Sequence, residues 1–212
     1  MGLLIGVGLL WLGKHLPRYF RSPAELTAYH APLWLDGLIL VVTGGLYAYW
    51  GVRPGLSWAT AVPLLGSTAL ILIAVIDLRY RLIFNLMMYP AIVLVLLFHL
   101  FFSGRSLLVT LLGGLFAFFI FYFTLLLRPG DLGGGDVKLA LLIGLALGFP
   151  TVLWALLLGV GSGAVTAVTL LLIGRQSKKQ VWNRKSQIPY APFLCLGAIL
   201  ALLYNPFPFA IF

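Results

Sequence analysis

Charged residues are scarce in this sequence of 212 residues. Asp, Glu, Lys and Arg together make up 9% of it, and 62% of the residues are hydrophobic. Soluble domains carry about 25% charged residues, and a soluble fold of this size could not bury so much apolar surface. The composition therefore predicts an all-α, polytopic membrane bundle. No stretch is long enough for a separate soluble region, so residues 1–212 are expected to form one membrane domain.

Cysteine is nearly absent. The single cysteine, Cys195, excludes disulfide bonds within the chain and any zinc site built on several cysteines. The histidines, His15, His30 and His99, lack the spacing of metal ligands, so no metal site is expected. The serines do not form the Gly-x-Ser-x-Gly pattern of a nucleophilic serine. Carboxylates are left as the side chains for any catalysis.

Eight apolar segments follow one another along the chain. A full crossing needs about 20 residues, so some of these segments are long enough to span and others are short. The segments comprise residues 2–13, 33–50, 57–76, 87–102, 106–127, 136–148, 151–173 and 190–204. We expect a bundle of about eight transmembrane or partly spanning helices in the lipid bilayer.

The basic residues predict the topology. The formal net charge is +9. Basic residues collect in the cytoplasmic loops of membrane proteins, so this charge gives no reason to expect a nucleic-acid partner. If the N-terminus lies outside and the segments alternate, twelve of the fourteen Lys and Arg residues fall in inside loops, and Arg53 and Arg105 fall outside. The same topology predicts that Asp77 and Asp136 lie at the cytoplasmic face of the membrane.

Acidic residues number only five, and one of them follows three consecutive glycines. A charged Asp deep in a bilayer costs about 2.5–3.5 kcal/mol on insertion scales, so such a residue is a functional candidate. Asp136, Ala140, Gly144 and Gly148 repeat every four residues, which predicts that Asp136 points into a close helix–helix contact. The glycines permit positive φ angles and close approach of another chain. The alternative is that Asp136 is only an N-cap with a flexible lead-in.

A second carboxylate, Asp77, ends the apolar run 57–76. Asp77 and Arg81 are four residues apart, so an ordinary ion pair on a continued helix is one interpretation. The other is that Asp77 and Asp136 come together and share a proton, which gives a charged base and a neutral acid at one pH. Such a pair can activate water and protonate a carbonyl oxygen or a leaving amine.

The first inside loop, residues 14–32, carries the acid Glu25, and Asp36 lies just beyond it. Pro17 and two later prolines are expected to break any long helix in this loop. Asp36 is expected to favour the first turn of the second helix through the helix dipole. In the alternative interpretation, Glu25 and Asp36 bind a basic partner segment.

These motifs resemble those of the prepilin peptidases, or type IV leader peptidases, a branch of the intramembrane aspartyl proteases with a Gly-x-Gly-Asp motif. The resemblance covers most of the chain and rests on four elements in the family's order. The elements are His15-Leu16-Pro17-Arg18, Asp77 followed by Ile83-Phe84-Asn85 (with Phe84 where the family has proline), Gly133-Gly134-Gly135-Asp136-Val137-Lys138-Leu139, and Pro189-Tyr190-Ala191-Pro192-Phe193-Leu194-Cys195-Leu196-Gly197.

The resemblance implies a bacterial inner-membrane enzyme that cuts the basic leader from type IV prepilins or pseudopilins on the cytoplasmic side. It implies that Asp77 and Asp136 are the catalytic pair. It implies further that the catalytic loop contains Gly133, Gly134, Gly135 and Lys138, and that substrate binding involves Asn85, Pro189, Tyr190 and Pro192. The two prolines are expected to interrupt helical hydrogen bonding, which leaves backbone free to pair with an extended substrate.

The sequence departs from many family members in its first loop. Their larger loop carries paired Cys-x-x-Cys elements of the kind that bind zinc, and they also methylate the new N-terminus. Residues 14–32 contain no cysteine, so we expect neither zinc nor a methyltransferase that uses S-adenosylmethionine. Two other functions stay open from sequence: a proton-coupled transporter with Asp77 and Asp136 as its relay, and an inactive assembly scaffold.

Overall fold

The computed structural model describes residues 2–20, 33–52, 58–80, 83, 85–127, 132–176 and 190–204. Within these residues every regular element is a helix, which confirms the all-α prediction. The helices are α1 (Gly2–Phe20), α2 (Leu33–Val52), α3 (Trp58–Tyr80), α4 (Asn85–Phe101), α5 (Leu107–Leu127), α6 (Gly134–Leu147), α7 (Thr151–Gln176) and α8 (Ala191–Tyr204). Each predicted apolar segment corresponds to one helix, in the predicted order.

Three of these helices are long and apolar enough to cross a membrane. The three spans are Pro63–Tyr80, Leu107–Leu127 and Thr151–Thr169. Four further apolar helices are shorter, at Gly2–His15, Asp36–Val52, Met87–Phe101 and Ala191–Tyr204. The chain is therefore a polytopic helical membrane protein, as its composition predicts.

Helix α1 is longer than its apolar run. The prediction that Pro17 breaks the helix is wrong, because α1 continues to Phe20. A proline removes one helical hydrogen bond, and the turns on either side keep theirs. Pro63 and Pro90 likewise lie inside α3 and α4. Proline is thus a weak boundary signal in this chain.

Residues 1–82 form one compact unit, in which α1, α2 and α3 pack against one another. Helices α1 and α3 meet closely at Gly13, where an added Cβ would lie 2.9 Å from Val75 Cγ1. Helices α2 and α3 share a hydrogen bond of 3.0 Å between the hydroxyls of Tyr47 and Thr68. Because α2 and α3 are consecutive helices in contact, the start of α2 and the end of α3 lie near each other. The ion pair between Asp36 of α2 and Arg79 of α3 agrees with this arrangement.

Residues 83–212 form a second compact unit, and α6 lies at its centre. Helix α6 contacts α4, α5, α7 and α8, and most of its residues are buried. It has 14 residues, a length of about 21 Å at 1.5 Å per residue. That is less than a hydrocarbon core of about 30 Å, so α6 is too short to span the core alone.

Glycines let the backbones of this second unit approach closely. A Cβ on Gly113 of α5 would lie 2.5 Å from the carbonyl oxygen of Gly144 of α6. A Cβ on Gly197 of α8 would lie 2.5 Å from the backbone nitrogen of Gly159 of α7. Small residues at such contacts are typical of helix packing in membranes. The prediction of a single membrane domain over residues 1–212 stays a prediction.

Candidate active site

Asp136 lies in the first turn of α6 and is 9% exposed. Gly133 is the N-cap, and its N–H donates a hydrogen bond of 3.2 Å to Asp136 Oδ2. The backbone N–H of Asp136 in turn donates to the carbonyl of Gly133 at 3.0 Å. The interpretation of Asp136 as an N-cap is therefore wrong. It is the third helical residue, and its carboxylate reaches back to the cap residue, as the acid of a capping box does.

The three glycines before Asp136 differ in their surroundings. A Cβ on Gly135 would lie 2.7 Å from Ile83 Cβ, closer than two carbon atoms that are not bonded to each other normally approach. A Cβ on Gly133 would lie 3.3 Å from Asp136 Oδ2, so it would press on the carboxylate. A Cβ on Gly134 would meet nothing within 4 Å. Position 135 needs glycine for space, position 133 is tight by a few tenths of an ångström, and position 134 is open.

The conformational reason that we expected for these glycines is wrong. Gly133 has φ −80° and ψ 143°, an extended conformation that any residue adopts, and Gly134 and Gly135 are helical. Among the described glycines, positive φ occurs at Gly104 and Gly148. Close approach therefore explains glycine at position 135, and at position 133 a side chain would press on the carboxylate of Asp136.

The buried face of α6 contains the residues that the sequence predicts. Asp136, Ala140 and Gly144 are all buried, and Gly144 packs against the backbone of α5. The prediction that Asp136 shares a face with a close helix–helix contact is confirmed. At the other end of α6, the Arg105 guanidinium donates a hydrogen bond of 2.7 Å to the carbonyl of Leu147. Both ends of the helix that carries Asp136 are thus held by polar contacts.

Lys138 joins the start of α6 to the start of α4. Its ammonium donates to Asn85 Oδ1 at 2.7 Å and to the Tyr89 hydroxyl at 2.9 Å, and it lies 4.7 Å from the centroid of the Tyr89 ring. Two residues predicted for separate roles, Lys138 and Asn85, are therefore bonded to each other. The sequence analysis missed Tyr89. Its spacing of four residues from Asn85 on one helix face was an available signal.

Asp77 lies in the last turn of α3 and is 6% exposed. The predicted alternative partner, Arg81, lies outside the described residues. Asp77 belongs to the first compact unit and Asp136 to the second. The pairing of these two carboxylates stays a prediction.

Asp36 lies in the first turn of α2, where the helix dipole favours an acid, as predicted. It forms ion pairs with Arg79, in the last turn of α3, and with Lys14 of α1, whose ammonium lies 3.7 Å from Asp36 Oδ2. The Tyr80 hydroxyl adds a long hydrogen bond of 3.3 Å to the carbonyl of Lys14. Glu25, its predicted companion in substrate binding, lies outside the described residues.

The last predicted element begins α8. The carbonyl of Tyr190 accepts hydrogen bonds from the N–H groups of Phe193 and Leu194, both at 3.1 Å. Pro192 is the second residue of α8, where a backbone N–H has no helical partner to lose. Pro192 therefore leaves no helical hydrogen bond unmade, contrary to the expectation that it interrupts them. Pro189 lies outside the described residues, and its role stays a prediction.

Comparison with known proteins gives two matches. The sequence model of the type IV leader peptidase family matches residues 64–168, a stretch that includes both Asp77 and Asp136. The prepilin leader peptidase/N-methyltransferase of Bacillus subtilis (strain 168) is 31% identical over 173 residues. That alignment covers 78% of this chain, and the chain spans 64% of the length of the curated relative. No solved structure matches the chain significantly.

Proposed function

Because residues 64–168 belong to the type IV leader peptidase family, we propose that this chain is a membrane aspartic endopeptidase. Its substrates are type IV prepilins or pseudopilins, from which it removes a basic leader peptide. The catalytic pair is Asp77 and Asp136. The curated relative from Bacillus subtilis is named for the same leader peptidase activity, which supports the proposal.

The observation that carries the proposal is the setting of Asp136. A buried carboxylate in the first turn of a helix that is itself mostly buried, beside Gly133, is costly unless it is used. The N–H of Gly133 fixes one carboxylate oxygen, Oδ2. The other oxygen is then the one available to a second carboxylate or to water.

Two carboxylates that come together share one proton, which leaves one charged and one neutral. The charged carboxylate takes a proton from water, and the water oxygen attacks the carbonyl carbon of the peptide bond. The neutral carboxyl gives its proton to the carbonyl oxygen, so a tetrahedral diol forms. When the C–N bond breaks, the leaving nitrogen takes a proton from one carboxyl group, and a hydroxyl of the diol gives its proton to the other carboxylate as the carbonyl re-forms. An acid and an amine are released, and the pair again holds one proton. The two carboxylates end with the same single proton that they held at the start, so no cofactor is needed.

The active site lies at the cytoplasmic face of a bacterial inner membrane. The distribution of basic residues along the sequence supports this orientation, since twelve of the fourteen Lys and Arg residues fall in loops on one side. A leader peptide that stays on the cytoplasmic side meets the enzyme there, just before the apolar segment of the prepilin enters the bilayer.

The test is cleavage of a prepilin-like peptide, with a basic leader, a glycine and an apolar helix, by the purified protein in detergent. Asp77→Asn and Asp136→Asn keep the size of each side chain and remove its acid–base chemistry. We expect each to lower the cleavage rate by about 10²–10⁴-fold, the usual share of a general acid–base group. Asp131→Asn is the matched control, because it removes another carboxylate near the glycines, and it is expected to cleave like the parent.

Cleavage that survives either substitution would remove the paired-carboxylate mechanism. If the folded parent cleaves none of several leaders, the peptidase proposal fails. Proton flux in vesicles, measured with the same Asn variants, would then test the transport alternative.

We propose further that the chain lacks methyltransferase activity and needs no zinc. The single cysteine supports this, because paired Cys-x-x-Cys elements cannot be built from it. Incubating the purified protein with cleaved peptide and labelled S-adenosylmethionine tests the first part, and methylated peptide would contradict it. Metal analysis of the same sample tests the second.

A further inference from the structure

Helix α4 presents one exposed face along most of its length, which we call the α4 face. It consists of Tyr89, Val93, Leu94, Leu97 and Phe101, all of which are exposed. Four of them follow one another every four residues, so they lie on one side of the helix. From its first to its last residue the face is about 18 Å long at 1.5 Å per residue. That is more than half of a hydrocarbon core of about 30 Å, long enough to pack against much of a transmembrane helix.

The α4 face begins with polar groups that are bonded to the helix carrying Asp136. The ammonium of Lys138 donates hydrogen bonds to Asn85 Oδ1 and to the Tyr89 hydroxyl, at 2.7 and 2.9 Å. Lys138 follows Asp136 by two residues in α6. The α4 face therefore starts close to the turn of α6 in which the carboxylate lies, and it leads away from that turn into apolar side chains.

Pro90 changes the backbone hydrogen bonding at this polar start. It lies inside α4, and because proline has no N–H, the carbonyl of Leu86 lacks the helical donor four residues ahead. Pro90 is exposed, so this carbonyl lies on the exposed side of the helix. A backbone carbonyl at a membrane is costly without a donor, and water or another chain can supply one. The carbonyl of Leu86 can thus accept the N–H of an extended peptide segment.

We propose that the α4 face binds the apolar helix of the prepilin, and that the carbonyl of Leu86 accepts a backbone N–H from the extended segment before that helix. This inference rests on the proposed peptidase function. The order of groups along α4 matches the order of groups in that substrate, because polar backbone precedes an apolar helix in both. The cation of Lys138 disfavours the basic leader at the same place, since like charges would then lie side by side.

Pro90→Ala tests the part played by the carbonyl. Alanine restores the missing N–H and closes the acceptor within the helix, so the variant should be at least as stable as the parent. For a peptide with a leader and an apolar helix we expect KM to rise about fivefold, the share of one hydrogen bond, with kcat unchanged. Pro63→Ala in α3 is the matched control, because it makes the same exchange inside another apolar helix and should leave KM unchanged.

Photocross-linking tests the apolar part of the face. The photoreactive residue p-benzoylphenylalanine replaces Leu97 on the α4 face or, as the matched control, Val165 on α7, which is also exposed and apolar. Each replacement is combined with Asp136→Asn, so that the prepilin is bound and not cut. In lipid vesicles with a full-length prepilin we expect an adduct from position 97 and only background from position 165. An excess of the peptide with leader and apolar helix should suppress the adduct.

An unchanged KM in Pro90→Ala, or an equal rise in Pro63→Ala, would overturn the part played by the carbonyl of Leu86, and if Pro90→Ala does not fold, the cross-link decides. Equal yields from positions 97 and 165 would overturn the docking of the apolar helix. An adduct with lipid alone, or with a second copy of the chain, would do the same.

The failure of this inference can be told apart from the failure of the proposed function. A folded parent that cleaves no prepilin removes the proposed function and this inference with it. A parent that cleaves normally, while position 97 yields no prepilin adduct and Pro90→Ala keeps the parent KM, removes the inference alone.

Discussion

The ammonium of Lys138 donates a hydrogen bond of 2.7 Å to the side-chain oxygen of Asn85, although the two residues lie 53 positions apart in the chain. Lys138 follows Asp136 by two residues, and Asn85 is the first residue of α4. This contact connects the two motifs that flank the apolar region between residues 85 and 133. It fixes the start of α6, the turn of helix in which Asp136 lies.

The first prediction concerns this contact. Lys138→Gln removes the charge that bonds Asn85 and Tyr89, so we expect kcat for leader cleavage to fall about tenfold, because the start of α6 is less firmly held. The melting temperature should change little, since Asn85 and Tyr89 are exposed and charged contacts in solvent contribute about 0–1 kcal/mol. Tyr89→Phe is the matched control: it keeps the ring beside the ammonium, removes only the hydroxyl, and should have a smaller effect. A larger loss in Tyr89→Phe than in Lys138→Gln would contradict this account.

The second prediction separates the glycines of the motif. Gly135→Ala places a methyl group 2.7 Å from Ile83 Cβ, an atom fixed to the backbone that cannot turn away. We expect a loss of about 1–3 kcal/mol in stability, as for other overpacked sites, together with a strong loss of cleavage. Gly134→Ala adds the same methyl group where nothing lies within 4 Å, and it should be neutral. Thermal melting and cleavage assays of both variants check this, and equal effects would refute the packing explanation.

The order and number of the described helices follow from the sequence because long apolar runs alternate with short polar stretches. The end of α1 does not follow from it. Lys14, His15 and Arg18 follow the apolar run, and yet the helix continues to Phe20. Hydropathy marks where a segment stops being apolar, whereas a helix stops where its backbone hydrogen bonds stop. Predicted helix ends are therefore least reliable where a polar extension follows an apolar run.

The site was predictable to the extent that its residues lie close together in the chain. The spacing of Asp136 and Gly144 predicts one buried face, and the structure confirms it. Asp36 and Arg79 are 43 positions apart in the chain, and Asn85 and Lys138 are 53 apart. Local periodicity in the sequence carries no information about contacts over such separations. The reason for Gly135 also lies in such a contact, because only the packed structure reveals that a methyl group there would meet Ile83.

The third prediction concerns the packing of α5 against α6. A Cβ on Gly144 would collide with the carbonyl oxygen of Gly113, so Gly144→Ala must push the two helices apart. We expect a loss of about 1–3 kcal/mol in stability. Gly161→Ala in α7 is the matched control, because its Cβ would meet nothing within 4 Å of protein. That change should be neutral or stabilising, since alanine favours a helix by about 1 kcal/mol over glycine. Unfolding of the two variants in detergent would test this, and a Gly144→Ala variant as stable as the parent would contradict it.

The fourth prediction concerns Arg105, at the end of α6 opposite to Asp136. Its guanidinium donates to the carbonyl of Leu147, and a cation at a helix C-terminus is stabilised by the helix dipole. Burial lowers the pKa of Arg105, but the side chain stays charged because the ordinary pKa of a guanidinium lies far above neutral pH. We expect Arg105→Gln to lower the free energy of unfolding by about 1–3 kcal/mol, the usual effect of losing a hydrogen bond to a charged group. Arg105→Lys should lose less, because it keeps the charge and loses only the shape of the guanidinium.

Cleavage by Arg105→Gln separates two ways in which a helix cap can matter. Arg105 lies about 21 Å from the other end of α6 by helix length alone, so it has no direct part in the chemistry. If the cap only stabilises the fold, kcat per folded molecule should match the parent at a temperature where both are folded. If kcat per folded molecule falls instead, then a shift of α6 along its axis displaces Asp136. The hydrogen bond from Gly133 would in that case be too weak to hold the carboxylate by itself. We expect the first result, because the contacts of Gly133, Gly135 and Lys138 fix the start of α6 independently of its end.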